Sequence, residues 1–245
     1  MREIRSAFPA RKPKNGWRDG THTLWHAFVT GITFVRVYMV FQNSEIVDGP
    51  APAQPAGGTE RLTPEQFRDP AVLLSGTVDY DMYKCFREQL ALAPAAGLVV
   101  IELSTLGGDP EVARMMGEDI RFHAEVDPQR RFVFLGKAAI YSAGTTFMSF
   151  FARENRYLTR GTRLMIHERK MAKTMQVDGP LTTCIAALKA TLHEIECSIE
   201  IQNEGFANLI VGSSVSMDEV IEKATTNWYI EAQEAQALGL VEGVL

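Results

Sequence analysis

The chain has 245 residues, 46% of them hydrophobic, which suffices for a buried core and fits one α/β domain with an N-terminal extension. The formal net charge is −5 and the globular part carries no basic stripe, so we expect no nucleic-acid partner. Three cysteines, Cys85, Cys184 and Cys197, lack the spacing of metal ligands. We therefore expect no metal site and reduced thiols, as in a cytoplasmic protein.

The N-terminal part differs in character from the rest. Residues 1–20 are basic and residues 24–41 are mostly apolar, a combination found in signal sequences and membrane anchors. His26 and Arg36 interrupt the apolar stretch, whereas a spanning helix needs about 20 mostly apolar residues. An extension that docks on the domain or on a partner is therefore favoured over membrane contact. A third alternative is that translation starts at Met39.

A stretch rich in proline, glycine and alanine, GPAPAQPAGGTE at 49–60, has no core-forming pattern and predicts a linker. It makes a natural boundary. We expect three parts: an extension (1–48), a linker region (49–64) and a globular domain (65–245).

Strand-like and helix-like segments alternate in the globular domain. Short apolar runs predict buried strands at 71–78, 98–103, 131–135 and 163–166. Helices are expected at 79–92, at 110–124 and from about Ser142 onward. In the first helix, the side chains expected to point inward are Met82, Cys85, Phe86 and Leu90. Such alternation predicts βαβ units and a mainly parallel sheet.

The clearest helix signal covers residues 181–210. Its apolar residues step by four and three positions: Leu181, Ile185, Leu188, Leu192, Ile195 and Ile199. We call this set the α4 stripe. It fits equally well a contact with another subunit and packing within the domain. A last helix is predicted by the capping-box spacing that starts at Ser216.

Three short motifs follow predicted strands: Gly107-Gly108, Ser142 and His167. Each has an ordinary structural explanation, namely a turn, a helix N-cap and a structural histidine. Together they supply what acyl transfer needs: backbone N–H donors for an oxyanion, a hydroxyl nucleophile and an imidazole base.

A third group should orient the imidazole. Asp218 and Glu219 lie in the first turn of the last helix, where acidic residues are expected for the helix dipole alone. Asn227 follows that helix and is only a weak candidate from its position.

The motifs resemble those of the Clp protease proteolytic subunit and its relatives, the S14 serine peptidases of the ClpP/crotonase superfamily. The family's N-S-P-G-G stretch corresponds to residues 104–108, and its G-x-A-rich stretch to residues 136–139 ahead of Ser142. Its M-I-H motif is present at 165–167, and its C-terminal E-A-x-x-x-G-L-[VI]-[DE] signature at 234–242. The serine and the histidine are 25 positions apart, the spacing familiar in that family.

The resemblance covers roughly residues 70–245. It implies the family's β/α superhelix, a homo-oligomer with the long helix at a subunit contact, no cofactor, and a possible ATPase unfoldase partner. It also implies a serine endopeptidase that cleaves unfolded or short peptides. In this scheme Ser142 is the nucleophile, His167 the base and Asn227 its orienting residue, while the oxyanion hole lies at Gly107, Gly108 and Ala143.

The chain departs from the family at one catalytic position, because Asn227 stands where the alignment puts an Asp. An Asn side chain can accept the imidazole N–H but supplies no charge for an imidazolium, so weak activity is expected. Two alternatives stay open. One is a catalytically inactive subunit with a structural or regulatory role, and the other is an acyl-CoA enzyme of the crotonase branch.

Overall fold

The computed structural model describes residues 61–245. Strands are β1 (Val72–Ser75), β2 (Gly97–Thr105), β3 (Arg130–Tyr141), β4 (Arg156–Leu158), β5 (Arg163–Ile166), β6 (Trp228–Glu231) and β7 (Gly243–Val244). Helices are α1 (Tyr80–Leu92), α2 (Pro110–Val126), α3 (Ala143–Ser149), α4 (Leu181–Ile210), α5 (Met217–Ala224) and α6 (Ala232–Ala237). Short 3₁₀ helices cover Pro64–Phe67 and Arg153–Asn155. The expectations for the basic and apolar N-terminal segments, for Met39 and for residues 49–60 lie outside the described residues.

The sheet is mainly parallel, in the order β1-β2-β3-β4-β7, with β5 and β6 branching from it. The long strand β3 changes neighbours along its length. Residues 134–136 pair with β4, and residues 139–141 pair with β5. Ala138, between the two halves, has φ 59°, which is rare for a residue with a side chain. Strand β6 runs antiparallel to β5. The α/β class with a mainly parallel sheet is confirmed.

Apolar side chains fill both faces of the sheet. The main core lies between the sheet and helices α1, α2 and α3 and includes Phe86, Met116, Phe134 and Phe147. A smaller core on the other face packs the first described residues against β2, β3 and β4. There, Leu62 is buried and its N–H donates to the Tyr157 hydroxyl. The folded unit therefore includes Leu62, just ahead of the expected start of the domain at residue 65.

The guanidinium of Arg156 is buried among helix ends. Its N–H groups donate to five backbone carbonyls, those of Ser149, Phe151, Asn208, Leu209 and Leu240. Burial lowers the pKa of Arg156 to about 10. Four of these carbonyls lie at or just beyond the ends of α3 and α4, and the fifth, that of Leu240, follows α6, so this one side chain ties the ends of α3 and α4 together.

Helix α4 has the predicted bounds, but most of it stands clear of the core. Only Phe206 and Leu209 within it are buried. In the α4 stripe, Leu181 is 81% exposed and Leu188 is 51% exposed, while Leu192 is half-buried. The stripe therefore does not pack in the core of residues 61–245, which removes one of its two explanations.

Cys85 was expected to point inward and is exposed, so that prediction is wrong. Met82, Phe86 and Leu90 fill the inner face of α1. The next turn of α1 binds the edge strand β1 through the side chain of Gln89. The Gln89 side-chain amide donates to the Leu73 carbonyl and accepts from the Leu73 N–H, at 3.0 and 2.8 Å.

The predicted N-cap of α5 is confirmed, since the Ser216 hydroxyl accepts from the Glu219 N–H at 3.2 Å.

The three cysteines are free thiols. Between residues 61 and 245 there is no cluster of three or more His, Cys, Asp or Glu side chains that could hold a metal ion. No helix in that part of the chain is long and apolar enough to cross a membrane.

Candidate active site

Three loops meet at the carboxyl edge of the sheet. Strands β2, β3 and β5 run parallel, and Tyr141, the last residue of β3, pairs with Met165 near the end of β5. The predicted residues follow directly after these strands: Gly107-Gly108, Ser142 and His167. Parallel strands place the loops at their carboxyl ends side by side, and the structure brings all three motifs together in this way.

Ser142 stands at the sharp turn from β3 into α3. Its backbone has φ 53° and ψ −114°, a strained conformation for a residue with a side chain. Its N–H donates to the Met165 carbonyl at 2.8 Å, and its own carbonyl accepts from the N–H groups of Thr145 and Thr146. Although Ser142 occupies the N-cap position, its hydroxyl makes no capping hydrogen bond. Helix capping therefore does not explain this serine.

The hydroxyl of Ser142 meets the imidazole of His167 instead. The distance from Ser142 Oγ to His167 Nε2 is 2.7 Å, within normal hydrogen-bond range. The other ring nitrogen, Nδ1, is buried and has no hydrogen-bond partner among residues 61–245. The pair therefore has the geometry of a nucleophile with its general base, without a third group on the imidazole.

Asn227 lies opposite His167 in the register of β5 and β6, but no hydrogen bond joins the two side chains. In the antiparallel pair of β5 and β6, Ile166 faces Trp228, so the next step outward places Asn227 opposite His167. Asn227 is exposed and has φ 61°, and its N–H donates to the Ala224 carbonyl. No hydrogen bond joins its side-chain amide to any group in the described residues. The orienting role of Asn227 stays a prediction.

Asp218 and Glu219 remain at the first turn of α5, as expected for residues that favour a helix N-terminus. The Glu219 carboxylate accepts from Lys223 at 2.6 Å. Neither acid bonds to His167 in the part of the chain described, so neither replaces Asn227 as the third group.

The glycine loop is packed so closely, Gly107 against Ser142 and Gly108 against Val78, that side chains would not fit. A Cβ on Gly107 would lie 2.9 Å from the Ser142 Cβ, and one on Gly108 would lie 2.2 Å from the Val78 carbonyl oxygen. Gly107 also has φ 112°, which favours glycine. This position therefore needs glycine for both space and backbone conformation.

The backbone N–H groups of the loop differ in their partners. The Gly107 N–H donates to Thr105 Oγ1 at 3.0 Å and is therefore occupied. The N–H groups of Gly108 and Ala143 have no acceptor in residues 61–245. Of the three expected oxyanion donors, Gly108 and Ala143 are the two with a free N–H.

A cavity of about 440 Å³ opens beside the serine. Gly108, Ser142, Ala143 and His167 form one wall of it. Much of the remaining lining is apolar and comes from α3, α4 and the segment after β5: Phe150, Met171, Ile195, Ile199, Phe206 and Leu209. The cavity has space for a substrate side chain next to the nucleophile.

A charged network borders this cavity and was not predicted. Arg169 lies two residues after the histidine, and its guanidinium donates to Glu111 at 2.5 Å. Glu111 also accepts from Arg114, which lies 3.9 Å from Glu204 of α4. The Arg169 N–H donates to Gln202 Oε1 at 2.7 Å. Burial acts to raise the pKa of Glu111, but hydrogen bonds from the two arginines outweigh it and hold that pKa below its usual range.

Comparison with known proteins supports the fold. Among solved structures, an Asn-to-Asp mutant of ClpP1 from Listeria monocytogenes matches with a TM-score of 0.55 and 20% sequence identity. The match covers 71% of this chain and 90% of that one. No protein-family model and no curated protein sequence matches the chain. The chain thus has a ClpP-like fold.

Proposed function

We propose that the protein is a serine endopeptidase that cleaves unfolded or short peptides through an acyl-enzyme. The observation that carries this proposal is the 2.7 Å contact between Ser142 Oγ and His167 Nε2 at a strained strand-to-helix turn. A hydroxyl that caps no helix and meets an imidazole is placed to react. The ClpP-like fold is consistent with peptidase chemistry.

In the first half of the reaction, Ser142 Oγ attacks the peptide carbonyl carbon while His167 Nε2 takes the hydroxyl proton. The carbonyl oxygen becomes an oxyanion, which the free N–H groups of Gly108 and Ala143 would stabilise. The C–N bond then breaks, and the imidazolium returns its proton to the leaving amine. The product is an ester between the acyl group and Ser142.

In the second half, water replaces the amine. His167 takes a proton from water, and the resulting hydroxide attacks the ester carbonyl. Collapse of the second oxyanion breaks the bond to Ser142 Oγ, which recovers its proton from the imidazolium. The chemistry needs no cofactor. Asn227 is proposed to orient the imidazole by accepting the Nδ1–H, after its side chain turns inward from its exposed position.

A second candidate is an inactive subunit with a structural or regulatory role. The observation in its favour is the His167 Nδ1, which is buried without a partner in residues 61–245. An imidazole held on one side only is a weak base in a triad, because nothing fixes its tautomer or stabilises its charged form.

The expected partners are further copies of this chain and, as a possibility from the resemblance, an ATPase unfoldase. The exposed apolar residues of the α4 stripe support the first of these, because large exposed apolar patches usually mark an interface. The ATPase and a cytoplasmic location stay predictions from the sequence.

Labelling with a fluorophosphonate probe tests the proposal. We expect mass spectrometry to find the probe on Ser142, and the variant Ser142→Ala to lose both labelling and hydrolysis of a fluorogenic peptide. Ser198→Ala is a matched control, because Ser198 also lines the cavity but its hydroxyl donates to the Glu194 carbonyl. Equal labelling of wild type and Ser142→Ala would reject the nucleophile. A folded wild type that takes up no probe would favour the inactive subunit.

A further inference from the structure

The imidazole of His167 is held by one hydrogen bond, that from its Nε2 to Ser142 Oγ. Its Nδ1 has no partner in the described part of the chain. The direction of the ring therefore depends on the backbone that carries it, which leaves β5 at Ile166 and continues across the mouth of the cavity.

That backbone is anchored first at Glu168, whose N–H donates to the Ala224 carbonyl at 3.4 Å, and then at Arg169. Its N–H donates to Gln202 of α4 at 2.7 Å, and its guanidinium donates to Glu111 of α2 at 2.5 Å. Only 19% of the Arg169 side chain is exposed, whereas 52% of the Glu111 side chain is, so the ion pair as a whole is partly exposed. Two residues after the base, the chain is thus fixed to two different helices.

The anchor on α2 also leads to the glycine loop. Glu111 lies in the first turn of α2, whose N-cap is Asp109 and whose preceding residue is Gly108. The ion pair between Arg169 and Glu111 therefore joins the segment that carries the base to the segment that carries an oxyanion donor. We propose that Arg169 is a positioning residue, which keeps the His167 imidazole in register with Ser142 and the Gly108 N–H.

The expected effect of this pair is on rate and not on folding. A partly exposed ion pair contributes little to folding stability. A displacement of about 1 Å in a reacting group, in contrast, lowers a rate by about a hundredfold. The inference rests on the proposed function for its effect on rate, since a rate can be measured only if the serine reacts.

The test compares Arg169→Met, which keeps the aliphatic stem without the charge, with Arg169→Lys, which keeps a cation. For Arg169→Met we expect the rate of fluorophosphonate labelling at Ser142 and the kcat for a fluorogenic peptide to fall by about tenfold or more, with KM changed far less. Arg169→Lys should recover a large part of the loss. The control is Glu194→Gln, which cuts another ion pair of the same segment, that with Lys173, and should leave the rates unchanged.

A second measurement keeps the two hypotheses apart. The ¹⁵N chemical shift of His167 Nε2 reports its hydrogen bond to Ser142 whether or not the serine reacts. If Arg169→Met changes that shift while wild type takes up no probe, the peptidase proposal fails and the positioning role stands. If wild type is labelled and Arg169→Met matches it in labelling rate, kcat and shift, the positioning role is overturned. Equal losses in Arg169→Met and Arg169→Lys, with a large fall in melting temperature, also overturn it.

Discussion

Ser142 keeps its strained backbone because its surroundings leave no relaxed alternative. Its N–H is bound to β5 and its carbonyl to the first turn of α3, so a change of φ would break several hydrogen bonds at once. Strain of this kind amounts to about 1–3 kcal/mol per residue, and other interactions in the fold must offset it. The result is a hydroxyl that faces His167 and not its own helix.

Asn227 offers a direct test of the third catalytic position. Asn227→Asp adds a carboxylate that can stabilise an imidazolium, and we expect kcat for a fluorogenic peptide to rise by about tenfold or more. Asn227→Gly removes the amide but keeps the positive φ of this position, and we expect kcat to fall. Glycine is therefore a better control than alanine, which would add backbone strain.

Unchanged kcat in both Asn227 variants would contradict the role of this residue. The third group would then lie elsewhere, and Asp218 would be the next acid to test. A circular-dichroism spectrum matching the wild type is needed for either result to count.

For single residues, the sequence predicted that Ser142 and His167 would come together, but it did not predict the ion pair between Arg169 and Glu111. The first two follow strands, and strand ends can be recognised from apolar runs. The ion pair joins residues 58 positions apart, and its existence depends on how α2 and the segment after β5 pack. The prediction that Cys85 points inward was wrong for a related reason. Its position among apolar residues does not show which side of helix α1 faces the edge of the sheet.

Among the secondary-structure elements, α3 and α4 depend on one buried cation. The five carbonyls around Arg156 include helix-end groups that no intrahelical donor satisfies. Among residues 61–245 no carboxylate forms an ion pair with it, so the carbonyl dipoles are its direct partners, and the charge of Glu154 acts on it only from a distance. Removing the guanidinium would leave several buried acceptors without donors.

We expect Arg156→Lys to lower the free energy of unfolding by about 2–4 kcal/mol, because an ammonium with three donors cannot serve five carbonyls. Urea or thermal unfolding measures the loss. Arg163→Lys is the control, because Arg163 is exposed and its one ion pair among residues 61–245 is with the exposed Glu231, and it should change stability little. Equal stability of Arg156→Lys and wild type would show that the carbonyls do not need the guanidinium.

Long, strongly patterned elements were predictable, and so were the short strands β1 and β5, which lie in apolar runs, whereas β4, β6 and β7 were not. Helix α4 has the bounds that its spacing indicates, because thirty residues give a clear period. Strands β4, β6 and β7 have two to four residues each, too few for a period to show. Strand β3 continues past its apolar run because Ala139, Ile140 and Tyr141 pair with β5, a contact that its own sequence does not announce.

At the scale of the described chain, residues 61–245, the α4 stripe is an apolar surface that the core leaves largely uncovered. Five of its six residues are exposed and Leu192 is half-buried, on a helix whose buried residues are only Phe206 and Leu209 near its end. Water-exposed leucine and isoleucine in a row are unfavourable unless another surface covers them. A second copy of the chain is the expected cover.

We therefore expect wild type to sediment as a homo-oligomer at micromolar concentration, and Leu188→Glu to give smaller folded particles with reduced activity. A charge placed in an apolar contact loses its hydration, whereas Leu188 in the free chain is already 51% exposed and its replacement should not unfold the domain. Ala186→Glu is the control, since Ala186 is exposed on the opposite side of the same helix. Wild type that sediments as a monomer would contradict the assembly.

The bond between Gln89 and Leu73 limits how such an assembly can form. A free sheet edge invites another chain to add a strand, through its unpaired backbone groups. At β1 the side-chain amide of Gln89 is hydrogen-bonded to both the N–H and the carbonyl of Leu73. A strand added at this side would have to displace Gln89, so we expect copies of the chain to recognise each other through side chains instead. The exposed apolar residues of α4 would serve for such a contact without extending the sheet.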